Sequence, residues 1–132
     1  MPKAFKYDTV LLIDDNAIDN AIHQRILESS GFAKRIIAFE SAREATAYLQ
    51  KTSNLQELVL PLVIFLDLRM PEVDGYAFLE KIGGMPQLPL SQIKIYVLSS
   101  SLDPSDRKKI EKSQLTDFFI SKPLTEQILN NL

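Results

Sequence analysis

The chain has 132 residues, 45% of them hydrophobic and 24% charged, with a net charge of −2 at pH 7 and no cysteine. That length suits one well-packed core and is short for two domains, and the missing thiols exclude disulfides, thiolate metal sites and a cysteine nucleophile. The charge balance argues against a nucleic-acid surface, since the longest basic run is Arg107-Lys108-Lys109. No segment approaches the length of a membrane span and residues 1–8 lack the apolar core of a signal peptide, so a cytoplasmic protein is expected.

Five short apolar runs recur at about 9–14, 34–39, 62–67, 93–98 and 117–121. Val, Ile, Leu and Phe dominate them without strict alternation, the pattern of strands covered on both faces. Between the first two, a helix is predicted from Asn16 to Ser29, with Ile18, Ala21, Ile22 and Ile26 on its buried face and Gly31 as its stop. His23, the only histidine, is expected to lie off that face, solvated or turned to a partner.

Ser41-Ala42-Arg43-Glu44 has the form of a capping box and opens a second helix with Ala45, Tyr48 and Leu49 inward. Residues 50–61 divide between helix end and loop in more than one way. Asp74 is suited to cap a third helix that carries Tyr76, Phe78, Leu79 and Ile82 and ends at Gly83-Gly84. Asp103-Pro104-Ser105-Asp106 starts another, with proline at the first position and acid at the positive end of the dipole. Thr125 caps a short last helix from Glu126 to Asn131. Strands alternating with helices imply right-handed crossovers and a parallel sheet between two helical layers.

Charged groups stand at the ends of separate apolar runs. Asp14 and Asp15 follow the first, Asp67 ends the third, and Lys122 with Pro123 follows the fifth. In a parallel sheet all of them emerge at one edge, where ligands bind. Two like charges 4 Å apart repel by about 4 kcal/mol at an effective dielectric of 20, so three gathered carboxylates demand a cation, a raised pKa or both. Lys122 supplies one positive charge, and Mg2+ suits the remainder because it takes carboxylate oxygens and pairs with phosphate. Carboxylates, Mg2+ and lysine together make a phosphoryl-transfer set in which a carboxylate acts as nucleophile. Asp67, alone at the end of the most apolar run, is the candidate nucleophile. Ser99, first of the Ser99-Ser100-Ser101 triplet, is positioned to donate to a phosphoryl oxygen.

Four segments carry a resemblance: Leu12-Ile13-Asp14-Asp15-Asn16; Phe65-Leu66-Asp67-Leu68-Arg69-Met70-Pro71 with Asp74-Gly75; Val97-Leu98-Ser99-Ser100; and Phe119-Ile120-Ser121-Lys122-Pro123. Over nearly its whole length the chain resembles the receiver domain of two-component response regulators. The resemblance implies a flavodoxin-like, doubly wound α/β/α fold with five parallel strands in the order 2-1-3-4-5. It implies a phosphoryl group accepted on Asp67 from a sensor histidine kinase or histidine phosphotransfer protein. Asp15 and Asp67 would hold Mg2+ through their side chains, Asp14 chiefly through water, and Arg69 through its backbone carbonyl. Ser99 and Lys122 would contact phosphoryl oxygens, and Ser99 with Phe119 would form the switch. Pro123 follows Lys122 across a bond usually cis in such proteins, and Gly75 is a structural position.

The expectation is therefore a single receiver domain over residues 1–132, with no effector domain, that signals by binding a protein partner. Neither nucleic acid nor membrane is expected as a partner, and the chain would be a monomer or a phosphorylation-dependent dimer. One rival is a pseudo-receiver scaffold that works without phosphorylation, against which the intact acid and lysine positions speak. Another is an aspartyl-phosphate phosphatase-type enzyme. That chemistry needs a second acid two residues past the nucleophile, where this chain has Arg69 after Asp67 and Asn16 after Asp14. No enzymatic turnover of a separate substrate is expected.

Overall fold

A computed structural model describes residues 5–58, 60, 62–67, 75–99 and 118–132. Five strands, β1 (Tyr7–Ile13), β2 (Ala33–Phe39), β3 (Leu62–Asp67), β4 (Ile93–Ser99) and β5 (Phe118–Ser121), form one sheet. All pairings are parallel and the order is β2-β1-β3-β4-β5, as the sequence led us to expect. Among the described residues the α-helices are α1 (Ala17–Ser30), α2 (Ala42–Asn54), α3 (Gly75–Gly83) and a last helix, Glu126–Asn130. Among the described residues no helix is long and apolar enough to cross a membrane.

The pleat sorts the strand residues into two cores. Leu11, Ile13, Leu62, Ile64, Leu66, Ile93, Ile95 and Val97 face α2 and α3, where they meet Ala45, Leu49, Phe78, Leu79 and Ile82. Val10, Leu12, Val63, Phe65, Tyr96, Leu98 and Ile120 face the other way, against Leu27 of α1 and Leu129 of the last helix. All six residues of β3 are buried, which explains why that run shows no polar alternation.

The helix ends follow their local chemistry. Asn16 caps α1 by accepting from the Ile18 and Asp19 N–H groups, and Gly31 closes it at φ 68°, a conformation that favours glycine. Ser41 Oγ accepts from Glu44 N–H, and Thr125 Oγ1 from Ile128 N–H. The Asp74 cap and the helix start at Asp103-Pro104 lie outside the described residues.

The face of α1 departs from expectation. Ile18 and Ile22 are 70% and 46% exposed, whereas Asn20, His23 and Leu27 are buried. The reason is the position of the helix along the sheet. Its C-terminal half covers the apolar core through Leu27, with Ile26 packed beside it, but its N-terminal half covers the carboxyl ends of the strands, where the backbone is polar. There Asn20 Nδ2 donates to the carbonyls of Asp14 (2.9 Å) and Phe39 (3.2 Å), tying α1 to the ends of both β1 and β2. Polar residues satisfy that surface and isoleucines do not. Replacing Asn20 with Ala should cost about 1–3 kcal/mol of stability, because the Asp14 carbonyl loses this donor in a buried place and the Phe39 carbonyl is left with the Asp14 N–H. The shift in the urea unfolding midpoint measures it, and a change indistinguishable from zero would show that the tie does not stabilise the fold.

Candidate functional site

The strand register assembles the site. Ile13 pairs with Leu66, Asp67 with Leu98, and Ser99 with Ser121, so Asp14, Asp67, Ser99 and Lys122 leave the sheet at nearly one level. Lys122 N–H donates to the Ser99 carbonyl at 2.9 Å and fixes the exit of β5 beside β4. The Lys122-Pro123 peptide bond is cis. By pleat parity Asp14, Asp67 and Lys122 continue the rows of Leu12, Phe65 and Ile120, on the α1 side. Ser99 and Phe119 continue the opposite rows, and Phe119 pairs in register with Val97, two residues before Ser99.

Asp14, Asp15 and Asp67 offer carboxylate oxygens that all lie within 4.8 Å of one another. Asp14 and Asp67 are buried and Asp15 is exposed. Asp14 is held at both oxygens: Oδ1 accepts from Asn16 N–H at 2.9 Å and Oδ2 from Lys122 Nζ at 2.6 Å. The Lys122 ammonium also reaches Asp67 Oδ2 at 3.5 Å. Burial disfavours its charge, but the hydrogen bonds to Asp14 and Asp19 and the charges of Asp67 and Asp14 outweigh that, holding Lys122 well above the usual lysine range. It is a fixed positive charge. The donor set is all hard oxygen, partly open to solvent through Asp15, and fits Mg2+, which takes one or two carboxylates and keeps waters.

Ser99 is buried at the end of β4, and Phe119 is half-buried against the α2–α3 core. Gly75 is buried at the start of α3. Arg69 lies outside the described residues. Two neighbours of the site escaped the sequence reading. Asp19 Oδ2 accepts from Lys122 Nζ at 3.0 Å, though an acid in the first turn of a helix signals no more than dipole compensation.

His23, expected at the surface, is buried against the site, and among the described residues its Nδ1 has no partner. Only the i+3 spacing from Asn20 to His23 could have suggested a polar inner face. Burial, and next the Lys122 charge, pull its pKa below the ordinary 6.5, against weaker opposing pulls from Asp19 and Asp14.

A sequence comparison settles the family. The response regulator receiver domain matches residues 10–132. The chain belongs to that receiver domain family. It is 32% identical over 125 residues to the two-component response regulator ORR1 of rice (Oryza sativa), covering 93% of this chain and 52% of that protein. The chain thus spans about half the length of that relative, and hybrid histidine kinases are also among its relatives. A two-component response regulator from Cytophaga hutchinsonii superposes with a TM-score of 0.85 at 32% identity, over 96% of this chain and 93% of that one. The phosphorylated cyanobacterial phytochrome response regulator RcpA superposes at 0.75 with 27% identity, over 97% and 89%. For this receiver domain, the acid cluster is the kind of site through which such domains bind Mg2+.

The buried imidazole has a consequence for stability. Its folded-state pKa lies below the unfolded value, so the unfolded chain binds the proton more readily. Stability is therefore fully present above about pH 6.5 and falls as pH drops below it. His23→Leu removes that contribution. Urea unfolding at about pH 7.5 and 5.5 should show a smaller acid loss in the variant than in the wild type, and equal losses would contradict it.

Proposed function

We propose that this receiver domain is a phosphorylation-dependent switch in which Asp67 accepts a phosphoryl group from a phosphohistidine of a sensor histidine kinase or histidine phosphotransfer protein. One observation carries the reading: the Asp67 carboxylate lies within reach of both the Asp14–Asp15 acid pair and the Lys122 ammonium, 3.5 Å away. An Asp67 oxygen forms a bond to phosphorus as the P–N bond breaks, and the electron pair leaves on the imidazole nitrogen. Lys122 neutralises charge on the transferring group, and Ser99 donates its hydroxyl to a phosphoryl oxygen. Asp14, Asp15, Asp67 and the Arg69 carbonyl would hold Mg2+, which supplies positive charge both to the crowded carboxylates and to the phosphoryl oxygens.

The exposed Ile18 and Ile22 rise from α1 beside this site and form an apolar rim suited to a docking phosphodonor protein. Phosphorylation replaces the single negative charge of the Asp67 carboxylate with about −1.5 to −2 and brings new acceptor oxygens. Ser99 is drawn toward them, and Phe119, next to the Ser99 row in register, moves with it and remodels the face of β5 and the last helix. Such a change biases a two-state element already present in the unmodified ensemble. Turnover of a separate substrate is not part of the proposal. Asn16 stands where a phosphatase of the aspartyl class would need an acid, and its side chain is committed to capping α1.

Incubation with Mg2+ and acetyl phosphate should add one hydroxylamine-sensitive phosphoryl group, seen by mass spectrometry. Asp67→Asn should abolish it, and chelation with EDTA should lower its yield by at least about tenfold. No adduct on the wild type, or an undiminished one on Asp67→Asn, sinks the phosphoacceptor role. For the switch, NMR is the readout. Phosphorylation should shift the amides of β5 and the last helix, and Phe119→Ala should shrink those shifts at unchanged phosphoryl yield. If they persist in full, Phe119 belongs to the core alone.

A further inference from the structure

The Lys122 ammonium is engaged by one more acid than the three-carboxylate cluster supplies. An ammonium has three N–H donors. One goes to Asp14 at 2.6 Å and one to Asp19 at 3.0 Å, which leaves the third for the side of Asp67, at 3.5 Å. Asp19 belongs to α1, not to a strand end, and meets Lys122 across 103 residues of sequence. Its carboxylate is a third exposed, whereas that of Asp14 is almost wholly buried. With Asp14 also bound to the Asn16 N–H and lying among the candidate metal ligands, Asp19 is the carboxylate in this set whose described side-chain contact is Lys122 itself.

We propose that Asp19 is a positioning residue that holds the Lys122 ammonium against α1 in the unphosphorylated chain, so that a phosphoryl group on Asp67 must win that ammonium from it. The inference rests on Asp67 being the phosphoacceptor. Four carboxylates against one ammonium and one divalent ion leave the site one negative charge in excess, where Asp14, Asp15 and Asp67 alone would balance. The excess opposes an incoming phosphoryl anion, and with Asp14 and Asp19 each holding a donor, only the one on the Asp67 side is left to that anion unless Asp19 gives way. Asp19 therefore sets a threshold. It keeps Lys122 ordered and charged at rest, and makes the phosphorylated arrangement less favourable than the other four groups would make it. Since Asp19 adjoins the exposed Ile18, a phosphodonor protein seated on α1 would lie directly against this contact.

Beryllofluoride, an anionic phosphoryl analogue, tests the competition without covalent chemistry. In an NMR titration with saturating Mg2+, Asp19→Asn should bind it about three- to tenfold more tightly than the wild type, the range expected for one charge-assisted hydrogen bond at a partly exposed position. Asp19→Glu, which restores the charge, should return to within about twofold of wild type. Glu40→Gln removes an exposed carboxylate from the same sheet edge and should change affinity less than about twofold, because a solvated charge is screened. Before any beryllofluoride is added, the Lys122 side-chain ammonium resonance should move in Asp19→Asn and not in Glu40→Gln. Unchanged or weaker binding by Asp19→Asn overturns the proposal, as does an equal gain in Glu40→Gln, which would reduce the effect to the general field. Should Asp19→Asn not fold, Asp19→Ser carries the same comparison. If the wild type binds beryllofluoride and takes a phosphoryl group while Asp19→Asn behaves like it, only this inference falls. If the wild type does neither, the phosphoacceptor reading falls first and this one with it.

Discussion

Carboxylates do not gather unless something positive holds them. Here the holding group is the Lys122 ammonium, which touches side chains from β3, from the β1–α1 turn and from α1 itself. Its own position is fixed from behind by the Lys122 N–H bond to Ser99 and by Leu124, which is fully buried in the α1-side core. The ion pairs are thus formed at the rim of a core that would pack without them. Partly buried pairs of this kind stabilise little in net terms, because desolvation offsets attraction. What they do is define which oxygens face which cation, and that orientation is what phosphoryl chemistry requires.

The same polar rim explains the unusual side of α1. A helix laid along a parallel sheet normally turns its branched apolar residues inward. This one extends past the last apolar row to the carbonyl ends of β1 and β2, where Asn20 donates to two of them. His23 is buried next, and that burial, with the Lys122 charge after it, depresses its basicity. Ile18 and Ile22 are thereby turned to solvent beside the acids. One geometric fact, the overhang of α1, puts polar groups inside, apolar groups outside and Asp19 on the lysine.

Communication away from the site has a simple path in the pleat. Asp67 and Lys122 continue rows that face α1, while Ser99 and Phe119 continue rows that face α2 and α3. The sheet edge therefore divides the proposed chemistry from the proposed readout, with Ser99 at the boundary. Phe119 is only half-buried, unlike the fully packed Val97 beside it in register, so its movement would not require opening the core.

Much of this was legible from residue order alone. Unbroken Val-Ile-Leu-Phe runs identify strands buried on both faces, alternation with helices makes them parallel, and acids at run ends mark the ligand edge; these are local or near-local signals with few alternatives. The capping residues Asn16 and Ser41 could be read for the same reason, since a cap acts within three positions of itself. What tertiary structure decided was the inner face of α1 and the company kept by Lys122. Periodicity shows that a helix has an apolar stripe but not whether the surface beneath it is apolar core or strand-end carbonyls. That depends on how far the helix overhangs the sheet. Asp19, Asn20 and His23 acquire their roles only there, from groups as far as 103 residues away in sequence.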